Sequence, residues 1–372
     1  MNAKGLRIGL VGPLPPPSGG MANQTRHLDA LLRQEGALVE LVRVNTPYPA
    51  WDAKFRWVRA PFRLLPYAIR LWHAAGKVQV LHVMANSGWS WHLVAAPAIW
   101  IAKLRGIPVV VNYRGGGAEA FFARSFLLVR PSLRRADAVV VPSGFLERVF
   151  ARRGIAASVV PNIVDLARFS SLGAADRVAA GGPPHVIVTR NLEQIYDIGT
   201  ALRAFALLLP RFPLARLTIA GSGPERDKLE SLAASLGLGN AVTFTGELDN
   251  AAMADLYRAA TLMLNPSLVD NMPISILESL ASGVPVVSTN VGGVPHLVQD
   301  GDTALLVPPG APGPMAEAMN RIVSDKALAR RLSEAGSAAV QAYAWPNVRD
   351  RLVGVYAGVT AGAHHAAAAD AK

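Results

Sequence analysis

The stretch that decides the fold is Asn265–Gly293, which reads NPSLVDNMPISILESLASGVPVVSTNVGG. Its short apolar runs, its proline and its glycine pair predict a strand, a loop, a helix, a second strand and a second loop. Pro273 stands where the helix should begin, a position that suits its fixed φ and its missing N–H. We therefore expect the backbone N–H groups from Met272 to Ser275 to open to solvent at the positive end of a helix dipole, where a phosphate or a polar sugar can bind.

Two acids, Asp270 and Glu278, lie eight residues apart in this stretch. Eight residues make about two helical turns, so the two carboxylates can face one ligand from two depths. The residues alone leave a second interpretation open, in which the stretch is a plain strand–helix–strand unit and both acids are surface charges.

The same alternation of β-branched runs and amphipathic stretches fills both halves of the chain. The predicted strands are 7–11, 38–44, 80–85, 109–113 and 138–142 in the first half, and 185–189, 216–220, 242–245, 262–265, 286–288 and 304–307 in the second. Strands that alternate with helices indicate an α/β protein with parallel sheets covered on both faces. We expect two Rossmann-like, doubly wound domains that face each other across a cleft, because ligands of such sheets bind beyond the carboxyl ends of the strands.

The predicted domain limits follow from this alternation. The first domain covers residues 1–165 and the second covers residues 185–345, with a linker at 166–184 that contains a Gly/Pro/Ser tract. The low-complexity tail, residues 361–372, is expected to be disordered.

Composition excludes several classes of protein. Cysteine is absent, so the chain has no disulfide, no thiolate metal site and no cysteine nucleophile, which is consistent with a cytoplasmic location. The longest apolar run, Leu93–Ala102, has ten residues, against the ~20 needed to span a bilayer. The sequence shows no histidines at metal-ligand spacing and no aromatic-interleaved nucleic-acid motif, so we expect no metal and no nucleic acid.

The basic excess belongs to the first half of the chain. Residues 1–165 hold 21 lysines and arginines against 8 acids, a net charge of +13, while residues 166–372 carry a net charge of −2. Such a field attracts anionic partners, among them lipid headgroups and phosphorylated substrates.

One basic segment, Trp51–Trp72, has an amphipathic pattern. Apolar residues recur at a 4-3-4-3-4-3 spacing, four arginines occupy another face, and Pro61 and Pro66 are expected to break or kink the helix. A basic amphipathic segment with tryptophans suits an anionic membrane surface. The alternative is that its apolar face packs on the sheet, as helices of α/β domains do.

Two arginines and one glycine pair lie at predicted strand ends. Arg190 follows the strand that opens the second domain, and its guanidinium fork suits a diphosphate. Arg114 follows the strand 109–113 and can meet a phosphate or an acceptor hydroxyl, although a surface ion pair is the commoner role. Gly19 and Gly20 precede a helix, where their backbone can approach a phosphate closely.

Taken together, these residues resemble family 4 of the retaining glycosyltransferases, also called group 1, whose fold is termed GT-B. The resemblance covers nearly the whole chain, and its most specific parts are Pro266-Ser267, the acids Asp270 and Glu278, the AxGxPVV run at 281–287 and the VGGxP run at 291–295. The run PNIVDLARF at 161–169 and the segment 342–356 also resemble the family. The resemblance implies that a C-terminal helix, at about 346–360, packs back onto the first domain.

The resemblance also implies a donor site. Glu278 would hold the ribose hydroxyls of a nucleoside-diphosphate sugar, and Arg190 would neutralise the diphosphate with help from the amides of Gly19 and Gly20. Backbone groups would bind the hydroxyls of the sugar, and they belong to Asn271, Met272, Pro273 and Ile274.

The catalytic residues expected from the resemblance are Asp270, which would lie near the donor sugar, with Arg190 and Arg114. Stabilisation of negative charge by such groups fits transfer without a metal or another cofactor. The sequence departs from the family at three places. The first acid is Asp270 instead of Glu, Arg114 replaces a frequent His, and the run from Arg190 to Tyr196 lacks the family's Lys.

The sequence thus predicts a hexosyltransferase that moves a sugar from a nucleoside-diphosphate sugar to a saccharide or lipid-linked acceptor held by the first domain. We expect a cytoplasmic enzyme, peripheral on the inner face of the membrane, with Trp51–Trp72 at the lipid surface. Two alternatives remain open, a nucleotide-sugar epimerase of the same fold and a non-catalytic protein that binds nucleotide sugars. A nicotinamide dehydrogenase is disfavoured, because the glycine fingerprint of its cofactor site is absent.

Overall fold

The computed structural model of the chain describes residues 3–16, 19–45, 59–170 and 182–370. The chain forms two compact units. The first combines Met1–Ile163 with Pro346–Lys372, and the second is Val164–Trp345. Each unit contains one parallel six-stranded sheet with helices packed on it, so the predicted α/β class with two doubly wound sheets is confirmed.

The sheet of the first unit has the strand order β2-β1-β3-β4-β5-β6. Its strands are β1 Arg7–Gly12, β2 Leu38–Arg43, β3 Val80–Ala85, β4 Val109–Tyr113, β5 Ala138–Val141 and β6 Ser158–Val159. Every residue of β3 and β4 is buried, as is usual for central strands of a sheet covered on both faces. These central strands nevertheless contain His82 and Asn112, so the first unit encloses polar groups that need partners.

The helices of the first unit are α1 Gly20–Gln34, α2 Arg59–Ala75, α3 Ala96–Leu104, α4 Ala118–Leu133 and α5 Gly144–Ala151, with a π-helical turn at Trp91–Ala95. The C-terminal helix, Trp345–Asp370, belongs to this unit through its residues from Pro346 onward. A buried residue of that helix, Tyr356, reaches the central strand β3 with its hydroxyl.

The sheet of the second unit has the order β12-β11-β10-β7-β8-β9. Its strands are β7 His185–Val188, β8 Arg216–Ala220, β9 Val242–Gly246, β10 Leu262–Asn265, β11 Val286–Thr289 and β12 Leu305–Val307. Its helices are α6 Ile198–Leu208, α7 Arg226–Ser235, α8 Asn250–Ala259, α9 Ile274–Ala281, α10 Pro312–Ser324 and α11 Lys326–Ala339. The pairing of β7 with β10 brings two chain segments that are far apart in sequence to the same edge of the sheet.

The structure places part of the predicted tail and part of the predicted linker. The C-terminal helix continues to Asp370 and so runs into the predicted tail 361–372, whose alanines are strong helix formers. The first residues of the predicted linker 166–184 are packed instead: Phe169 is buried, and its ring meets that of Tyr257 edge-on at 5.6 Å. Residues 171–181 of that linker lie outside the described part of the chain.

Helix α2 contains both Pro61 and Pro66, so of the predicted break or kink the break does not occur. Pro61 falls in the first turn, where backbone N–H groups have no partner within the helix, so its missing N–H costs nothing there. Pro66 removes one backbone hydrogen bond of the helix interior, and the carbonyl of Pro66 accepts a hydrogen bond from Nε of Arg70 at 3.2 Å. Residues 51–58 of the predicted segment Trp51–Trp72 lie outside the described residues.

Candidate functional site

The candidate site of the second unit lies at the carboxyl ends of the neighbouring strands β7 and β10. Thr189 and Arg190 directly follow β7, and the loop that follows β10 carries Asp270 before helix α9 begins. Because the carboxyl ends of parallel strands meet at one edge of the sheet, the two side chains come together although eighty residues separate them.

Arg190 and Asp270 form a nearly buried ion pair. Nη2 of Arg190 donates to Oδ2 of Asp270 at 2.8 Å, and the two side chains are 11% and 10% exposed. Asp270 is held from two further sides, since the hydroxyl of Ser267 donates to Oδ2 at 3.0 Å and the backbone N–H of Asn271 donates to Oδ1 at 3.0 Å. Asp270 is therefore a fixed member of the site, and its interpretation as a surface charge is wrong.

The rest of the Arg190 guanidinium has weaker partners. Its Cζ lies 4.0 Å from the centre of the Tyr196 ring, a distance at which a cation is attracted to an aromatic face. Nη1 is 3.5 Å from the hydroxyl of Ser275, and Nε is buried without a hydrogen-bond partner among the described residues. An N–H that is buried and unpaired is costly, so the guanidinium gains free energy when it donates to an anionic ligand oxygen.

Glu278 belongs to the same group through Tyr257. The hydroxyl of Tyr257, which is fully buried, lies 3.3 Å from Oε2 of Glu278, 3.0 Å from the carbonyl of Ser275 and 2.6 Å from Oγ1 of Thr189. Burial raises the pKa of Glu278 to about 7, against the opposing effects of the Tyr257 hydrogen bond and of the charges of Arg168 and Arg190. At neutral pH the carboxyl group is therefore poised between its acid form and its carboxylate.

Two glycines allow the close packing of the two segments that carry Asp270 and Arg190. A Cβ on Gly293 would lie 1.9 Å from the carbonyl oxygen of Asn271, and the N–H of Gly293 donates to the carbonyl of Asp270 at 3.1 Å. In the segment that carries Arg190, a Cβ on Gly221 would lie 2.1 Å from the carbonyl oxygen of Arg190. Gly293 and Gly221 thus permit the close backbone approach that fixes Asp270 and Arg190.

The loop before α9 ends at the predicted residue, but its residues are less exposed than predicted. Pro273 is the residue before the first turn of α9, with φ −65°, and Ile274 begins the helix. The loop was predicted to open to solvent, but Asn271, Met272 and Pro273 are buried and Ile274 is partly buried. The reason is the packing of this loop against the backbone of the VGG run, which the local sequence did not indicate.

In the first unit, the structure connects Arg114 with helix α1. The guanidinium of Arg114 donates to three amide oxygens, those of Asn112 at 3.1 Å, Gln24 at 3.4 Å and Asn162. No described carboxylate forms an ion pair with it, so its interpretation as a surface ion pair is not supported and its charge is available to an anionic group. Burial lowers the pKa of Arg114 to about 10, which leaves it charged at neutral pH.

Gly19 and Gly20 lie at the start of α1, where Gly19 precedes the first helical residue, Gly20. A Cβ at either position would meet no atom within 4 Å. Their backbone is therefore open at a helix N-terminus, and the role predicted for their amides stays a prediction.

The sequence did not indicate three residues that contact Glu278, Arg190 or Arg114. Tyr257 occupies a buried position on α8, so its hydroxyl was hidden behind an ordinary core pattern. Tyr196 follows Ile195, which occupies the position of the family's Lys. The guanidinium of Arg190 lies over the Tyr196 ring. Gln24 lies on the buried face of α1, where the helical pattern predicts a core residue. Only the structure shows that its side-chain amide forms hydrogen bonds with Arg114 and Ile163.

This arrangement defines the chemistry available in the second unit. The guanidinium of Arg190 can bind phosphate oxygens, and a carboxylate such as Glu278 can accept two hydroxyl hydrogen bonds. No cluster of acidic or histidine side chains able to hold a metal ion occurs among the described residues. The groups present therefore fit a ligand that carries both phosphates and hydroxyls.

Comparisons with known families agree with this inventory. Residues 12–168 match the family model described as Glycosyltransferase Family 4, and residues 175–339 match the model described as Glycosyl transferases group 1. The phosphatidyl-myo-inositol mannosyltransferase of Mycobacterium tuberculosis is 25% identical over 375 residues, which cover 94% of this chain and 96% of the relative. The D-inositol 3-phosphate glycosyltransferase of Streptomyces bingchenggensis is 32% identical over 216 residues, 54% of this chain and 47% of the relative.

Solved structures share the fold over almost the whole chain. Sucrose-phosphate synthase from Thermosynechococcus elongatus superposes with a TM-score of 0.78 at 23% identity, covering 96% of this chain and 100% of that structure. Anabaena HepE, solved in complex with UDP-glucose, superposes with a TM-score of 0.73 at 18% identity, covering 95% and 100%. Both are similar in architecture, and the family models add the similarity in sequence.

Proposed function

Because this chain belongs to the group 1, family 4 glycosyltransferases and is therefore an enzyme of sugar transfer, we propose a specific reaction for it. It moves a hexose from a nucleoside-diphosphate sugar, with retention of configuration, to an acceptor hydroxyl of a glycolipid or lipid-linked saccharide. The observation that carries the proposal is the nearly buried ion pair of Arg190 and Asp270, together with Glu278, whose carboxyl group the charge of Arg190 also affects. Arg190 is a cation that can bind phosphate, and Asp270 and Glu278 are carboxyl groups that can bind hydroxyls. All three belong to the region beyond the carboxyl ends of β7 and β10.

The donor is bound by the second unit in this proposal. Arg190 binds the diphosphate, Glu278 accepts from the ribose hydroxyls, and the loop Asn271–Ile274 binds the hydroxyls of the sugar. The complex of Anabaena HepE with UDP-glucose supports a nucleotide sugar as donor.

Transfer proceeds without a metal in this proposal. Negative charge grows on the leaving diphosphate, and a preformed cation at that place lowers the barrier because it needs no reorganisation. Arg190 supplies that cation, held between Asp270 and the Tyr196 ring. Asp270 then competes with the diphosphate for the guanidinium until the donor binds.

The acceptor is bound by the first unit, which carries the basic excess of the chain. Arg114, whose charge no described carboxylate neutralises, meets an anionic group of the acceptor. The similarity to phosphatidyl-myo-inositol mannosyltransferase over 94% of the chain supports a lipid-linked acceptor.

An exposed apolar face of α2 supports binding to an anionic membrane surface. Leu65 is 66% exposed, Ile69 50% and Trp72 42%, while the opposite face packs on the sheet through Tyr67 and Leu71. The guanidinium of Arg105, at the end of α3, lies 4.8 Å from the centre of the Trp72 ring, so apolar and cationic groups are interleaved as in interfacial helices. Among the described residues, no helix is long and apolar enough to cross a bilayer, and the proposed association is peripheral.

The proposal is tested by a screen of nucleotide sugars followed by an assay of transfer. A bound donor raises the melting temperature by mass action, and the selected donor is then incubated with lipid-linked acceptors in anionic vesicles. We expect turnover only with acceptor, a retained anomeric configuration by NMR, and loss of donor binding in Glu278→Ala but not in the exposed control Glu317→Ala. Conversion of donor in the absence of acceptor would identify an epimerase, and donor binding without any turnover would identify a binding protein.

A further inference from the structure

A chain of buried hydrogen bonds crosses the first unit from the C-terminal helix to Arg114. The hydroxyl of Tyr356 lies 2.7 Å from Nδ1 of His82, and Nε2 of His82 lies 3.0 Å from Nδ2 of Asn112. Oδ1 of Asn112 accepts from Nε of Arg114 at 3.1 Å. Tyr356, His82 and Asn112 are each at most 1% exposed, so water does not compete with these contacts.

Arg114 determines the direction of every bond in this chain. A guanidinium has donors only, so the group of Asn112 that faces it must be the amide oxygen. The NH₂ group of Asn112 then donates to Nε2 of His82, which must be the unprotonated ring nitrogen. The proton of a neutral His82 is therefore on Nδ1 and is donated to the hydroxyl oxygen of Tyr356.

His82 remains neutral in this environment. Burial, together with the charge of Arg114, lowers the pKa of His82 to about 3. Burial also raises the pKa of Tyr356. Neither group changes its charge over the working pH range, so the chain acts through the orientation of its bonds and not through a proton transfer.

We propose that Tyr356, His82 and Asn112 are positioning residues that hold the guanidinium of Arg114 in its working orientation, so that the C-terminal helix completes the site of the first unit. The importance of this orientation for catalysis rests on the role proposed above for Arg114. The other two acceptors, Gln24 and Asn162, hold Nη1, and Asn112 is the one described acceptor of Nε.

Removal of the Tyr356 hydroxyl has a defined consequence. In Tyr356→Phe, Nδ1–H of His82 loses its acceptor and becomes a buried, unpaired donor, which is costly. The ring can pair this proton again only by shifting from its place, or by carrying the proton on Nε2 with the NH₂ of Asn112 turned toward Arg114. Either change weakens the bond from Nε of Arg114 to Asn112, so the guanidinium is held less firmly.

The first experiment measures the tautomer without any assay of activity. In ¹⁵N NMR spectra of the full-length protein, His82 should show the neutral Nδ1–H form from pH 6 to 8, and Tyr356→Phe should shift the ring nitrogen signals of His82 and the Nε–H signal of Arg114. The matched control is Tyr67→Phe, since Tyr67 is a buried tyrosine of the same unit whose hydroxyl donates to the carbonyl of Val94 at 3.0 Å. An Nε2–H tautomer in the wild type, or an Arg114 signal unaffected in Tyr356→Phe, would overturn the proposal.

The second experiment separates positioning from stability. Tyr356→Phe should lower kcat about 10-fold or more, the scale of one hydrogen bond to a charged group, with the KM for the donor unchanged, while Tyr67→Phe should leave kcat within about 2-fold. His82→Gln can accept from Asn112 and donate to Tyr356, so it should retain most of the kcat that His82→Leu loses. An unchanged kcat beside a shifted Arg114 signal would uphold the positioning and refute the catalytic role of Arg114.

Discussion

Nη2 of Arg190 donates to Oδ2 of Asp270 at 2.8 Å, and the two side chains neutralise each other in a nearly buried site. The sequence predicted Arg190 at the diphosphate and Asp270 near the donor sugar, and it predicted no contact between the two side chains. A diphosphate that binds Arg190 must therefore share the guanidinium with Asp270 or displace it. The free energy of donor binding includes the loss or rearrangement of this pair.

The ion pair predicts opposite effects of one substitution on binding and on turnover. In Asp270→Asn the competing carboxylate is gone, so a nucleoside diphosphate should bind about 3- to 10-fold more tightly by calorimetry. The kcat should fall about 100-fold, because Asp270 also holds the loop proposed to bind the donor sugar. Asp255→Asn, at an exposed acid of α8, is the control. Weaker diphosphate binding by a folded Asp270→Asn protein would contradict competition for Arg190.

Glu278 predicts a pH dependence of donor affinity. Burial raises its pKa to about 7, and only the carboxylate can accept from both ribose hydroxyls. The affinity for the nucleotide sugar should therefore rise about 10-fold between pH 6 and pH 8, measured by titration calorimetry at constant ionic strength. Glu278→Gln should bind weakly at both pH values with a flat profile.

The same carboxyl should affect the stability of the free protein in the opposite direction. Its folded-state pKa is raised, so its contribution to the free energy of unfolding is present below the ordinary pKa of Glu and is lost as the pH rises through about 7. At pH 8, Glu278→Gln should be more stable than the wild type by about 1–3 kcal/mol in the absence of ligand. A Glu278→Gln protein that is less stable than the wild type at pH 8 would show that the carboxylate is not strained by burial.

Gly293 predicts a loss of activity from a single added methyl group. A Cβ at Gly293 would lie 1.9 Å from the carbonyl oxygen of Asn271, so Gly293→Ala must move the loop that holds Asp270. We expect about 100-fold lower kcat and about 2–4 kcal/mol lower stability, by chemical denaturation. Gly313→Ala, in a helix with open space around it, should be neutral or slightly stabilising. Equal effects of the two substitutions would argue against a steric role of Gly293.

The exposed face of α2 predicts weaker membrane binding after a negative charge is introduced on it. Ile69→Asp should reduce binding to vesicles of anionic phospholipid about 10-fold at low salt, measured by sedimentation. Leu214→Asp places the same change on an exposed leucine of the second unit, 73% exposed, and should have no effect. Binding that is lost equally in both variants, or in neither, would contradict a specific role for α2.

Much of the fold followed from local pattern. The strands Val80–Ala85, Val109–Tyr113, Arg216–Ala220 and Leu262–Asn265 begin and end where the sequence predicted. Buried parallel strands are continuous apolar runs bounded by turn residues, which makes their ends visible in one sequence. The strand β6, with two residues, was too short to produce such a signal.

The sequence pointed to candidate residues of the site but not to their contacts. Asp270, Glu278 and Arg190 were recognised from motif residues, yet the ion pair depends on the pairing of β7 with β10, which is a property of the sheet order. Tyr257 and Gln24 were missed because a polar group at the tip of a buried side chain leaves the helical pattern unchanged. The helical tail was missed because low complexity was taken as a sign of disorder, although alanine favours helices.

The first unit is assembled from both ends of the chain, Met1–Ile163 and Pro346–Lys372. A ribosome that has released Val164–Trp345 has therefore completed the second unit while the first still lacks its last helix. Nascent or truncated chains that end before Tyr356 would carry the second unit's residues of the proposed donor site without the residue proposed to orient Arg114. On these two proposals, the capacity to bind donor arises during synthesis before the capacity to use it.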